Sequence, residues 1–180
     1  MTKRKIDFPD YGKEIMEVLK EGRALLVAQG KDGKPNPMTI AWGSIMYAWN
    51  KPIFVVLVRD SRYTYKLLEE SESFTVNFFD RTYNKAMGFC GSKSGRDFDK
   101  FKETGLTPGE SKAVVTPIIE EAFLNIECKI VMKSEMNPTL VDPEIVKAHY
   151  QTDVPERTYH TLYFGEIIDM YGDFSENLTK

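Results

Sequence analysis

The chain has 180 residues, 42% of them hydrophobic and 28% charged, which is normal for a globular protein and long enough for one domain with a substantial core. Its net charge of −3, from 24 basic and 27 acidic residues without a long basic run, argues against nucleic acid as a partner. The longest apolar run, at 53–58, is too short to cross a membrane and no export signal is evident, so we expect a single cytoplasmic domain over residues 1–180 with no membrane partner.

The first half of the chain is predicted to contain three helices and four strands. A helix over 11–21 should end near Gly22, because glycine commonly follows a helix. Strands are predicted at 23–29, 38–47, 53–58 and 74–78, with a helix at 62–70 before the last of them. An Asp-Gly turn at 32–33 favours a hairpin between the first two strands. Asp80 is placed to cap a helix that runs through Phe89.

The second half is richer in strands. A short helix is expected to run to Thr104 and to end at Gly105, and Ile118-Ile119 then begins the β-rich part. Strands are predicted at 122–134 and 158–171, separated by a loop over 138–154 with a helical turn or two near 143–149. Because the helices are inserted rather than regularly alternating, we predict a mainly β protein, a closed or partly closed antiparallel barrel with added helices.

The segment from Asn36 to Thr64 holds the first candidate site. Its first strand alternates two faces, one with Met38, Ile40 and Trp42 and a nearly bare one with Thr39, Ala41 and Gly43, against which a flat ring could lie. The next strand ends in the run Arg59-Asp60-Ser61-Arg62-Tyr63-Thr64, where Asp60 or Ser61 is a plausible helix N-cap. Free N–H groups beside guanidinium and hydroxyl groups suit a phosphate. Close sheet packing and solvated arginines are the alternative interpretation.

A glycine- and serine-rich loop from Cys90 to Lys100 is the second candidate site. Ser94 and Asp97 have the spacing of a capping box, although an aspartate stands where glutamate is usual. On that interpretation Arg96 and Lys100 lie four residues apart on one helix face, near N–H groups that could bind an anion. The loop has neither the Walker spacing nor the GxGxxG pattern.

With both segments considered, the chain resembles the flavin reductase-like, FMN-binding split-barrel family, and within it the flavoredoxin-like members. The order and spacing of several motifs carry the resemblance over residues 23–171: Asn36–Gly43, Lys51-Pro52, Val58–Thr64, Phe74–Asn77, Ser94–Asp97 with Asp99-Lys100, and His160 with Gly165-Glu166. The resemblance implies an antiparallel split β-barrel with inserted helices. It also implies a homodimer with FMN at the interface between the two subunits.

The resemblance also indicates which residues would bind the cofactor. The flavin ring is expected beside Met38, Thr39, Ile40, Ala41 and Trp42, where Thr39 could offer its hydroxyl. The ribityl phosphate is expected between the two loops, with Ser61, Arg62 and Thr64 as the best candidates and with Arg59, Tyr63, Ser94, Gly95, Arg96 and Lys100 beside them. Asn77, at the end of a strand, could serve either the ligand or its own backbone.

Two further residues have reactive side chains. His160 is either a hydrogen-bonded strand residue or, as the resemblance implies, a catalytic residue that faces the substrate side of the flavin and orients a nicotinamide. Cys90 is either a thiol activated by the cationic loop or a small buried residue at a helix end. The chain has only two histidines and two cysteines, without metal-ligand spacing, so no zinc site is expected.

These observations predict an FMN-dependent oxidoreductase that takes electrons from NAD(P)H or a small carrier protein and reduces flavin or another small acceptor. No separate dinucleotide motif is present, so NAD(P)H would stack on the FMN itself. The alternatives are a non-catalytic electron-transfer flavoprotein and a flavin-free ligand-binding barrel. The segment 136–157, with three prolines, is expected to form a subunit-contact arm or a lid.

Overall fold

The computed structural model describes residues 3–150 and 158–173, so residues 151–157 of the predicted arm or lid lie outside the described part of the chain. The strands are β1 (Arg4–Lys5), β2 (Ala24–Gln29), β3 (Pro35–Ile40), β4 (Gly43–Ala48), β5 (Lys51–Arg59), β6 (Ser73–Phe78), β7 (Pro108–Gly109), β8 (Ile118–Ile119), β9 (Leu124–Glu135) and β10 (His160–Gly172). The α-helices are α1 (Gly12–Lys20), α2 (Tyr63–Glu70), α3 (Asn84–Ser92), α4 (Lys100–Thr104) and α5 (Pro143–His149). Short 3₁₀ turns lie at Arg81–Tyr83 and Pro138–Leu140.

The main sheet is antiparallel and has the strand order β3-β2-β6-β9-β10-β5-β4, with β1 paired to one end of β10. Its two edge strands, β3 and β4, are consecutive in the chain and are separated only by Ala41 and Trp42. The sheet therefore curls until its two edges meet at this two-residue hinge. The predicted mainly β antiparallel split barrel with inserted helices is confirmed.

The single strand predicted at 38–47 is wrong, because the hinge divides it into β3 and β4. In β3, Ile40 pairs with Ala24 of β2, whereas Gly43 at the start of β4 pairs with Val56 of β5. A Cβ atom at Gly43 would lie 2.7 Å from the carbonyl oxygen of Val55, so glycine permits this close approach. Tertiary pairing therefore overrides the local alternation that favoured one continuous strand.

Two prolines explain why β3 is an edge strand. Pro35 and Pro37 lie two residues apart, so both lack an N–H on the same side of the strand. That side faces away from β2, where no ladder hydrogen bond is lost. The carbonyl oxygen of Pro37 accepts from Lys100 Nζ at 3.1 Å, and this side of β3 is therefore the open edge. By the same period of two, the main chain of Thr39 faces that edge.

The core lies on both faces of β2, which is why this strand is buried along nearly its whole length. Ala24, Leu26 and Ala28 face the barrel interior, where a large apolar cluster includes Phe54, Phe74 and Phe78. On the other face, Leu25 and Val27 pack with residues of α3 and α4. Burial of each large apolar side chain stabilises the fold by roughly 1.5–3 kcal/mol. This outer cluster fixes α3 and α4, and with them the loop at 93–99, beside the hinge.

The helix ends differ in part from the predicted ones. Asp80 accepts from the N–H of Thr82 at 2.8 Å ahead of α3, and Gly105 follows α4 with a φ of 69°, as predicted. The capping box at Ser94 is wrong, because α4 begins only at Lys100 and its N-cap is Asp99. The N-cap of α2 is Arg62, not Asp60 or Ser61.

A buried carboxylate ties a long loop to the outside of β9. Glu127 is fully buried, and its oxygens accept from the N–H groups of Lys112, Ala113 and Val114 at 2.9, 2.7 and 3.2 Å. The hydroxyl of Tyr171 donates to the same carboxylate at 2.7 Å. Hydrogen bonding on this scale compensates the cost of burying the charge.

Candidate functional site

A cavity of about 590 Å³ lies where the two edges of the barrel meet. Its walls are β3, the hinge, the end of β5, the N-terminus of α2, the loop after α3, and the first residue of β10. It brings together His160 and every predicted cofactor residue except Asn77: Met38, Thr39, Ile40, Ala41, Trp42, Arg59, Ser61, Arg62, Tyr63, Thr64, Ser94, Gly95, Arg96 and Lys100. The two loops singled out in the sequence therefore converge on one site.

Asn77 is not among the residues that line this cavity. It is fully buried on the outside of β6, where its amide donates to Leu25 O at 3.2 Å and to Thr75 Oγ1 at 3.0 Å. Its oxygen accepts from Ile119 N at 2.9 Å and from Asn125 Nδ2 at 2.7 Å. Of the two roles considered for Asn77, the geometry favours the structural one, because all of its hydrogen-bonding groups are used by the protein.

The N-terminus of α2 faces one end of the cavity. Arg62, its N-cap, makes no side-chain cap hydrogen bond, so the first turn of this eight-residue helix keeps donors for another partner. Thr64 is 1% exposed, and its hydroxyl accepts from Asn36 Nδ2 at 2.9 Å. Asn36 also lines the cavity but was not predicted as a site residue. It is nevertheless the first residue of the motif Asn36–Gly43 on which the family resemblance rests.

Lys100 places a buried positive charge at the same end. It is 4% exposed, and its ammonium donates to Cys90 O at 2.8 Å and to Pro37 O at 3.1 Å. Burial lowers the pKa of Lys100, and the charge of Arg62 acts in the same direction. Among the ion pairs of the described residues none involves Lys100, so its charge is balanced only by carbonyl dipoles.

The loop at 93–99 closes this end of the cavity. Arg96 Nη1 donates to Ser61 O at 3.2 Å, and its guanidinium lies 5.6 Å from the ring centroid of Tyr63. The loop turns at Ser94, whose hydroxyl accepts from the N–H of Arg96 at 3.2 Å. Arg96 therefore precedes α4, and the prediction that it shares a helix face with Lys100 is wrong.

The opposite end of the cavity is formed by the last residues of β3 and by the hinge. Thr39 Oγ1 donates its proton to Met87 O at 2.6 Å, so toward a ligand this hydroxyl can only accept. Trp42 is 40% exposed, and its ring centroid lies 5.2 Å from that of His160 and 5.1 Å from that of His149. An aromatic surface therefore borders the cavity beside the end of α5.

Arg59 lines the cavity but also holds its wall together. Its Nη1 donates to Thr158 O at 2.6 Å and its Nη2 to His149 O at 3.1 Å. These bonds connect the end of β5 with α5 and with the start of β10. The observed role of Arg59 is thus to position neighbouring segments at the hinge end of the cavity.

His160 and Cys90 are both neutral at neutral pH. His160 is 8% exposed, and burial, together with the positive charges of Arg59 and Arg62, lowers its pKa to about 4. Burial raises the pKa of Cys90 to about 11, although Lys100 opposes the shift. A thiol with such a pKa is a poor nucleophile, which favours the structural interpretation of Cys90. Among residues 3–150 and 158–173, no group of acids, histidines and cysteines could hold a metal ion.

A family model described as "Flavin reductase like domain" matches residues 16–177. The chain belongs to the flavin reductase-like family. A flavoredoxin of Desulfovibrio vulgaris (Miyazaki F) is similar, with a TM-score of 0.66 and 28% identity over 84% of this chain and 69% of that one. An uncharacterized protein of Archaeoglobus fulgidus is 29% identical over 160 residues, which are 88% of this chain and 77% of its own.

The fold is shared more widely. An FMN-binding domain of a flavin reductases-like enzyme from Shewanella baltica OS155 has a TM-score of 0.66 at 17% identity and covers 96% of this chain and 78% of that one. The chain is thus a member of a flavin-related, oxidoreductase-type family with the split-barrel fold. None of the helices in the described residues is both long and apolar enough to span a bilayer.

Proposed function

We propose that this protein binds FMN in the hinge cavity and acts as an oxidoreductase. The observation that carries the proposal is the convergence of the uncapped α2 N-terminus, Arg62 and the buried Lys100 at one end of a cavity whose other end lies at the last residues of β3 and the hinge. FMN has the matching asymmetry, a dianionic phosphate at one end and a flat ring at the other. When bound, it would supply the electron-transfer chemistry, while the protein sets its position and access.

The phosphate end fits a dianion on electrostatic grounds. A buried ammonium without a carboxylate partner, such as that of Lys100, is costly unless an anion compensates it. Helix N-H groups in the first turn of α2 and the guanidinium of Arg62 are donors of the kind that bind phosphate. The hydroxyl of Thr64 is held in place by Asn36, and Ser61 lies on the same side of the cavity.

The ring end fits a planar ligand. The main chain of Thr39 faces the open edge of β3, where no strand takes up its hydrogen bonds. The Thr39 hydroxyl can accept from a ligand N–H or O–H, because its own proton is given to Met87. Met38, Ile40, Ala41 and Trp42 complete this wall.

The electron donor we propose is NAD(P)H or a small carrier protein, and the acceptor is free flavin or another small molecule. Either partner would approach the ring from the side of Trp42 and His160. The alternative, a non-catalytic electron carrier, is favoured by the similarity to flavoredoxin. Continuous oxidation of NADH or NADPH by the FMN-loaded protein would support the enzyme, whereas a single stoichiometric reduction would support the carrier.

We further propose that two copies associate through the outer face of β4, β5, β9 and β10. Phe54 and Val56 face the interior, so Val55 and Leu57 face outward, next to Phe164 and Leu162 of β10. Met46 and Met132 extend this face, with 38% and 37% of their surface exposed. Since Leu57 also lines the cavity, the face is continuous with the proposed FMN site.

The phosphate assignment is tested with a Ser61→Ala, Arg62→Ala double variant. FMN and riboflavin differ by the phosphate, so titration with each separates phosphate contacts from ring contacts. We expect the double variant to lose about 10- to 100-fold in FMN affinity, because charge-assisted hydrogen bonds contribute about 1.5–3 kcal/mol each. Its riboflavin affinity should stay unchanged. A Lys85→Ala control removes an exposed cation from α3, outside the cavity, and should bind both ligands normally.

If the wild type binds riboflavin as tightly as FMN, the phosphate site is refuted. If it binds neither and stays colourless, the FMN proposal itself fails.

A further inference from the structure

Tyr150 forms a pair with His160 at the hinge end of the cavity. Tyr150 directly follows α5 and is 8% exposed, and its hydroxyl oxygen lies 2.8 Å from His160 Nδ1. His160 is the first residue of β10 and lines the cavity, whereas Tyr150 does not. Within residues 3–150 and 158–173, the imidazole therefore has one nitrogen hydrogen-bonded to the protein, Nδ1, which leaves Nε2 to serve a ligand.

Two neighbouring side chains contact the phenol ring of Tyr150. It stacks on Tyr159 with centroids 4.6 Å apart and an interplanar angle of 15°, and the guanidinium of Arg59 lies 5.0 Å from its centroid. Because Arg59 also holds the carbonyl oxygens of His149 and Thr158, the phenol is held by the same contacts that close this wall. Its hydroxyl is thus presented to His160 in one position.

The charges around the pair decide which partner donates. Among the residues that the structure describes, the charged groups that act on the imidazole are Arg59 of β5 and Arg62 of α2, both cations, while His149 of α5 contacts the neighbouring Trp42. A cationic imidazole is disfavoured there, so His160 is neutral and has a single N–H. Burial raises the pKa of Tyr150, which keeps its O–H as a donor. A phenol donates more readily than a neutral imidazole, and an imidazole nitrogen accepts more readily than a phenol oxygen.

We propose that Tyr150 is a positioning residue whose O–H donates to Nδ1, which holds His160 in the tautomer with its proton on Nε2. His160 then offers the cavity a neutral N–H donor that does not change with pH in the neutral range. Such a donor selects a ligand with an oxygen acceptor beside Trp42, such as a carbonyl, carboxamide, nitro or carboxylate oxygen. The inference rests on the proposed function for the identity of the ligand, but the tautomer itself does not depend on it.

Nitrogen NMR of the histidine side chains tests the tautomer directly. The chain has two histidines, so His149→Gln leaves only the His160 signals. In the full-length protein, with and without FMN, we expect Nε2 to be protonated and Nδ1 to be unprotonated at pH 7. Tyr150→Phe keeps the ring but removes the donor, and we expect its His160 nitrogen signals to shift toward a mixture of tautomers. Tyr159→Phe removes the hydroxyl of the stacked neighbour and should leave the signals unchanged.

A proton on Nδ1 in the wild type would overturn the inference, and so would an unchanged tautomer in a folded Tyr150→Phe. If that variant does not fold, the wild-type measurement alone decides. FMN titration of the same samples separates the two proposals. A wrong tautomer with normal FMN binding refutes only the inference, whereas the expected tautomer without FMN binding refutes only the proposed function.

Discussion

Gly95 lies where the loop after α3 passes closest to the other side of the cavity. A Cβ atom there would overlap with Asn36 Oδ1 and would lie 2.8 Å from Tyr63 Cδ1. Both neighbours are held, Asn36 by its bond to Thr64 and Tyr63 by its place in the first turn of α2. Any side chain at this position must therefore push the loop away from the phosphate end.

Gly95→Ala should weaken FMN binding by at least about 10-fold, because the displaced loop carries the donors that face the phosphate. Fluorescence titration with FMN measures the effect. Gly88→Ala is the matched control, since a Cβ at Gly88 meets nothing within 4 Å and alanine suits a helix better than glycine. Equal affinities for the two variants would contradict the role given to the loop.

His160 should make stability depend on pH. Its folded-state pKa, about 4, lies below the ordinary value of 6.5, so the unfolded chain binds more protons between these values. The stabilising contribution is complete above pH 6.5 and is lost as the pH falls toward 4. Between pH 7 and pH 5 we expect a loss of about 2 kcal/mol from this group.

Urea unfolding at pH 7 and pH 5 measures this loss. His160→Gln should lose less stability over the interval than the wild type, by about 2 kcal/mol. His149→Gln, which replaces an exposed histidine, should keep the wild-type dependence. A His160→Gln variant with the full wild-type loss would show that another group is responsible.

Side-chain chemistry and the family resemblance together predicted most of the residues that line the cavity, because hydroxyl and guanidinium groups at a helix start suit a phosphate and the resemblance placed residues 38–42 beside them. Side-chain chemistry could not decide the role of Asn77, because its amide can bind a ligand or join a buried hydrogen-bond network equally well. The network requires Asn125 and Ile119, which are distant in the chain and are brought near by the sheet. The structural role of Arg59 was missed for the same reason, since its partners Thr158 and His149 follow 99 and 90 residues later.

At the scale of elements, one carboxylate holds residues 112–114 of the loop at 110–116, whose end is held separately by hydrogen bonds between Thr116 and Ser73. Three of its N–H groups and the hydroxyl of Tyr171 converge on Glu127. Glu127→Gln replaces one acceptor oxygen by an NH2 group that faces these donors. We expect a loss of about 1–3 kcal/mol in the free energy of unfolding, because three part-buried N–H donors and the buried Tyr171 hydroxyl share a weakened acceptor.

Urea denaturation with a Glu110→Gln control checks this expectation. Glu110 is exposed in the same loop and should tolerate the change within about 0.5 kcal/mol. If Glu127→Gln were as stable as the control, the carboxylate would not be what holds the loop.

Element types were predictable, but two boundaries were not. Large and small side chains alternate through Ala41 and Trp42 without interruption, so Gly43 is the only local sequence signal for the hinge. Both Ser94 and Asp99 are good N-cap residues, and the choice depends on the loop contacts of Arg96 with Ser61. Long-range contacts therefore set where these elements begin and end.

At the scale of the whole molecule, the proposed dimer makes a distinct prediction. Met46→Lys with Met132→Lys would place one cation on each of the two outer strands of the outer face, β4 and β9. Burying unpaired charges is strongly unfavourable, so the double variant should sediment as a monomer. Its FMN affinity should fall by at least about 10-fold, since the cavity opens next to this face.

Analytical ultracentrifugation with and without FMN gives the result. Val115→Lys is the control, because Val115 is 86% exposed in the loop at 110–116 and lies outside the outer face. A wild type that is monomeric, or a double variant that still dimerises, would refute the interface.

The architecture followed from counting strands and from the irregular placement of helices, and it agrees with the sheet of the protein. What the sequence could not supply is the order of the strands in the sheet. Strand order depends on which edges pair, and only the three-dimensional arrangement brings β3 and β4 to opposite ends of the same sheet.

The open edge of β3 has a consequence for how such a protein can change over time. A ligand bound there would form hydrogen bonds with main-chain N–H and C=O groups, which every residue except proline carries in the same form. Replacing the side chains at 38–41 would then alter the shape of the cavity wall but would leave these main-chain hydrogen bonds unchanged. Members of this lineage could therefore change their electron partners through those side chains and still bind the chromophore through the same main-chain groups.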